Sequence, residues 1–107
     1  MAVLYVTEYA TIAIMQAGRV TQIPAEPPLA EQVVAIGAVS AQTAAFNAKT
    51  ALVRVHTDAI CGVTFGTNPT ATVSNGTVGS GRMAATQTEY RGVPLGSSFK
   101  CAVIATT

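Results

Sequence analysis

Thr50-Ala51-Leu52-Val53-Arg54-Val55-His56-Thr57, followed after Asp58-Ala59 by Ile60-Cys61-Gly62-Val63-Thr64-Phe65, is the stretch that decides the fold class. In an extended chain successive side chains point to opposite faces. Ala51, Val53 and Val55 therefore share one face, and Leu52, Arg54 and His56 share the other. Cys61, Val63 and Phe65 line up in the same way on the returning run. This period of two is the signature of half-buried strands. Thr57-Asp58 turns the chain between them, so the two runs are expected to pair as a β-hairpin.

The pattern continues toward the C-terminus. Gly66-Thr67-Asn68-Pro69 is a turn cluster, residues 70–73 read as a short strand, and the Gly- and Ser-rich residues 74–81 read as a flexible loop. Residues 82–85 and 89–93 are further short strands. After a turn at 94–98, residues 99–105 close the sheet with Phe99, Cys101, Val103 and Ala105 on one face. Both cysteines thus fall on core faces, where a free thiol packs as a small hydrophobe, with a disulfide between Cys61 and Cys101 as the alternative.

Toward the N-terminus, residues 32–39 read as a strand broken at Gly37. Residues 2–8 form a strand with Val3, Tyr5 and Thr7 opposite Leu4 and Val6. Residues 10–16 continue it or make a second extended piece, Gly18 marks a turn, and residues 20–23 are extended until Pro24. Pro24-Ala25-Glu26-Pro27-Pro28 reads as a polyproline arm or linker, since proline has no N–H to give a sheet. Helix signals are weak; the best candidate is a short turn over 28–34 carrying Leu29, Glu31 and Val33. About eight short strands with Gly/Pro punctuation imply an all-β chain, a single β-sandwich of jelly-roll type. Residues 1–31 would be its N-terminal strand and Pro-rich arm, and residues 32–107 its main sandwich.

Composition narrows the function. Half of the 107 residues are apolar and only 10% are charged, against about 25% in ordinary soluble domains. Such a chain cannot cover its surface with charge, which points to contact with other protein. The net charge is +1 with no basic stripe, so a nucleic-acid footprint is lacking. The apolar run 10–15 is too short to span a bilayer, and no Lys or Arg precedes it as a signal peptide would require. Synthesis in the cytoplasm is the expectation.

A search for chemistry returns little. His56 is the single histidine; Asp58 is near enough in sequence to orient it, but no nucleophile elbow accompanies it. The five acidic residues show no spacing that obliges a pair to meet, and no Cys/His spacing suits a metal. Gly76, Gly79 and Gly81 lack the following helix and Lys-Ser/Thr of a phosphate loop. No catalytic residue, cofactor, metal or small-molecule substrate is expected. The candidate partner-interface residues are Tyr5, Tyr9, Arg54, Arg82 and Arg91, because Tyr and Arg are the usual anchors of protein interfaces.

The run Val53-Arg54-Val55-His56-Thr57-Asp58-Ala59-Ile60-Cys61, then Phe65-Gly66-Thr67-Asn68-Pro69-Thr70-Ala71-Thr72, together with Arg82-Met83-Ala84-Ala85 and Thr88-Glu89-Tyr90, resembles small virion proteins of tailed bacteriophages. Some proteins of that kind are capsid decoration, or cement, proteins. The likeness covers mainly residues 32–105 and carries no functional residue with it. It implies a structural role on the capsid exterior, with the major capsid protein and further copies of the chain, as a symmetric homo-oligomer, as partners. The alternatives are another virion component, at the head–tail joint, tail or fibre base, and a small glycan-binding jelly roll. The last has little aromatic material, with no Trp and three Tyr.

Overall fold

The computed structural model describes residues 2–107, and among these the chain forms strands and no helix. In chain order they are β1 (Val3–Tyr9), β2 (Ile12–Ile14), β3 (Val20–Pro24), β4 (Ala30–Ala35), β5 (Ala41–Gln42), β6 (Leu52–Thr57), β7 (Cys61–Gly66), β8 (Gly81–Met83), β9 (Thr88–Gly92) and β10 (Lys100–Ala105). One sheet runs β4-β1-β6-β9 and a second β5-β10-β7-β8, while β2 and β3 pair only with each other. Every pairing is antiparallel.

The alternation in the sequence sets which faces meet. Val6 is registered with Gln32 on one side and Val55 on the other, so Leu4, Val6, Val34, Val53 and Val55 point to one side of the first sheet. They pack in one cluster with Cys61, Val63, Met83, Cys101 and Val103 of the second. Each buried Val or Leu is worth about 1.5–3 kcal/mol relative to exposure, and β-branched side chains suit the pleated surface. Cys61 and Cys101 are both free and buried in this cluster. Burial raises both thiols, and pushes Cys101 up to about 12.

One charged group enters the interior. Glu8 is buried, and its carboxylate accepts hydrogen bonds from the Asn47 N–H (2.7 Å), the Thr50 hydroxyl (2.8 Å) and the Gln32 amide (3.0 Å). The Gln32 amide also pairs with both backbone groups of Ala44. Segment 43–50 is thereby pinned across the β4 side of the first sheet. A buried polar group left without such partners would be costly to the fold.

Several expectations are corrected. β6 and β7 do not pair as a hairpin: β6 lies between β1 and β9, and β7 between β10 and β8 in the other sheet. The chain changes layer at 57–61, where the Thr57 hydroxyl donates to the Ala59 carbonyl (2.6 Å) and accepts from its N–H (3.2 Å). Alternation says which side chains face the core, but two inward faces can meet across a sandwich as well as within one sheet. The connection also lacks the Asn-Gly or Gly that a two-residue hairpin turn demands. The turn proposed over 28–34 is instead strand β4 from Ala30. The strand read over 2–8 is β1, flanked on both sides within its sheet. The antiparallel all-β architecture stands; this strand order does not by itself establish a jelly-roll path.

Residues 70–73, expected as a strand, form a cover. Ala71 packs on Ala102 and Ile104, the outward side chains of β10. Hydrogen bonds from the Ala71 N–H to Ser40 Oγ, the Thr72 N–H to Ser80 Oγ and the Ser74 N–H to Thr106 Oγ1 hold the cover down. Gly62 permits the approach, for a Cβ there would lie 3.3 Å from Ser80 Cβ. The loop expected to be flexible is tied as well: Asn75 Oδ1 accepts from the N–H groups of Thr77 and Val78, and Gly76 takes the left-handed φ of 89° that this turn needs.

Candidate interaction surface

The outer face of the first sheet is open around Tyr5, Val33 and Tyr90, while Thr7 and Tyr9 on the same side of β1 are buried. Val3, Tyr5, Thr7 and Tyr9 of β1 point outward, and the register sets Tyr5 between Val33 of β4 and His56 of β6. Tyr5 and Val33 are cross-strand partners and both are exposed. The Tyr5 ring lies 6.2 Å from the His56 ring, tilted at 39°. His56 Nδ1 bonds Thr88 Oγ1 at 2.7 Å, so Thr88 and not Asp58 is the residue that meets its ring. The next row across the face reads Glu31, Thr7, Arg54 and Tyr90.

At one end this face is closed. The chain between β3 and β4 turns back over it, with the Leu29 N–H bonded to the Glu8 carbonyl at 2.7 Å. Tyr9 is buried there. Burial, followed by the neighbouring Glu26 carboxylate, raises its hydroxyl above the usual range.

Beyond that end projects the β2–β3 ribbon. Its tip is a three-residue loop in which the Gly18 N–H bonds the Met15 carbonyl and the Met15 N–H bonds the Arg19 carbonyl. Gly18 has φ of 81°, the left-handed residue that such a loop requires. Ile14 and Val20 are cross-strand partners, 69% and 67% exposed, and Met15 and Ile23 are also exposed. The molecule is accordingly elongated, 48 × 27 × 25 Å.

The five interface candidates separate. Tyr5 and Arg54 share the open face, with Tyr90 and Val33 beside them. Tyr9 is covered by its own chain. Arg82 lies on edge strand β8, its Nε 3.4 Å from the Thr107 carbonyl. Arg91 projects from β9 on the core side, paired to Glu89 at 2.6 Å and 5.9 Å from the Phe65 ring centroid. Sequence reasoning placed the two extended pieces and the turn at Gly18 but missed that they pair only with each other and expose Ile14, Met15, Val20 and Ile23, because apolar residues in an extended run read equally well as core.

Among the described residues there is no pocket and no cluster of three or more His, Cys, Asp or Glu side chains that could hold a metal ion. The arrangement offers surfaces: a charge-poor antiparallel sandwich with one open face and a projecting apolar ribbon. Compared with family models, with curated proteins and with solved structures, the chain matches none.

Proposed function

We propose that the chain is a virion structural protein that binds the outer surface of a capsid and cross-links its subunits, as a decoration protein does, acting by binding rather than catalysis. The observation that carries this is the distribution of exposed large apolar side chains. Ile14, Met15, Val20 and Ile23 stand on the ribbon, Tyr5, Val33 and Tyr90 on the open face, and Val39, Val73, Val78 and Leu95 elsewhere. Isolated exposed apolar residues are ordinary, but groups of them mark contacts. Groups at separate places suit a subunit touching several neighbours in a repeated shell. The resemblance of 53–61 and 65–72 to small phage virion proteins supports the same reading, as does the low charge. A jelly-roll path is the finer part of the proposal.

The test is cosedimentation of the purified protein with capsids stripped of it, followed by heating of the shells. Saturable binding at a fixed ratio per capsid with raised heat resistance is the expected result. Absence of binding to shells moves the role to the head–tail joint or tail, and isolated virion substructures then identify the partner.

A further inference from the structure

Most chemically conspicuous groups are already satisfied within the chain. Glu8 has three donors, Arg91 pairs with Glu89, and the thiols lie in the core. The ribbon and the open face are left over. We propose that they fit each other between copies: the β2–β3 ribbon of one chain lies on the β4–β1 outer face of a second copy, with Arg19 set against Glu31. This names a contact of the homo-oligomer and does not depend on the capsid reading.

The ribbon needs a cover. Two strands alone are marginal in water, and this pair exposes Ile14, Met15, Val20 and Ile23 while pairing with no other strand. The open face supplies a flat apolar counterpart in Tyr5 and Val33. A chain cannot satisfy itself in this way. The ribbon leaves from the end of β1 and the beginning of β4, whereas Tyr5 and Val33 lie in the middle of those strands.

Charge fixes the register. Arg19, at the tip, is the one charged residue between Tyr9 and Glu26. Glu31 is exposed two positions along β4 from Val33 and on the same side, and among the described residues the single salt bridge is Arg91–Glu89. Glu31 is thus a carboxylate free to accept Arg19. Arg54 on the same face repels Arg19, which places the ribbon along β4 and β1 and away from β6 and β9. Mutual exchange of ribbons gives a twofold dimer, and head-to-tail repetition gives a ring.

Sedimentation equilibrium of the full chain over a wide concentration range tests this. A reversible oligomer is expected. R19E and E31R each weaken association about 2- to 5-fold per contact, and the combined R19E/E31R chain recovers it. I14D/V20D weakens association about 30-fold or more, with unchanged circular dichroism and urea midpoint, because both side chains are exposed. A chain that stays monomeric, an oligomer indifferent to I14D/V20D, or a charge swap that recovers nothing overturns the proposal. An independent check mixes V20C with V33C under oxidising conditions; a disulfide-linked heterodimer is expected, and its absence counts against the contact. Capsid cosedimentation is scored separately, so either idea can fail while the other stands.

Discussion

On the second sheet Ala102 and Ile104 lie under segment 69–73, while on the first sheet Tyr5 and Val33 meet solvent. Both sheets have four antiparallel strands and both present apolar side chains on their outer faces. The difference lies in what the chain does next. After β7 it has a turn, a cover and Gly62 to let that cover approach. After β1 it runs out into a ribbon and returns over the Tyr9 end of the face, leaving Tyr5 and Val33 exposed. A face finished by its own chain belongs to stability, and a face left open is available to a partner.

Substitutions can break this contrast. The largest effect is expected inside the open-faced sheet, which has to be held from within. Glu8→Ala removes the acceptor of three buried or half-buried donors and costs about 4 kcal/mol in urea unfolding. A loss below about 1 kcal/mol would show that segment 43–50 is held by something else. Beneath the cover, Ile104→Ala costs about 3 kcal/mol; a change as small as that of an exposed residue would mean that segment 69–73 does not seal the face.

Alkali tests how dry the covered sheet is. Cys101, on β10, keeps its proton in the folded state up to about 12, against an ordinary value of 9.0. The unfolded chain loses that proton first, so stability is present below about pH 9 and falls as pH rises toward 12. The slope reaches about 1.4 kcal/mol per pH unit. Urea midpoints of wild type and Cys101→Ala isolate it, and the difference between the two should narrow as pH rises. Parallel curves would place solvent at the thiol.

Gly79→Ala strains the cover directly, because a Cβ there would lie 2.7 Å from Ser74 Oγ and 3.1 Å from Ser74 Cα. About 1 kcal/mol is expected, read as earlier proteolysis within 74–81. The smallest effect belongs to the open face. Tyr5→Ala and Val33→Thr should each change monomer stability by less than about 0.5 kcal/mol, and a larger loss would mean that this face serves the fold after all.

Local pattern made much of this legible. The alternation of 52–57, 60–65 and 99–105 located β6, β7 and β10 and placed both cysteines inside, and the two sides of β1 were read correctly from Leu4 and Val6 against Val3, Tyr5 and Thr7. Partner choice was not legible, because Val53 and Val63 face the same core whether β6 and β7 are neighbours or lie in opposite sheets. Cover was not legible either. Residues 70–73 have the composition of a strand and serve as a lid, and Tyr9 is hidden by a proline segment that its own strand does not announce. The open face could be half read: Tyr5 and Arg54 were candidates, while Val33 and Glu31 entered only through the register with β1.

β1 and β4 are already neighbours, so everything between Tyr9 and Ala30 is an excursion inserted where a tight turn would suffice. Rewriting the outer part of that excursion, beyond the segment that covers Tyr9, leaves the order of the strands in the two four-stranded sheets unchanged. The tip is therefore an interchangeable part. Sequence change can accumulate there without loss of the fold, and new specificities can be grafted onto it while the two sheets stay as they are.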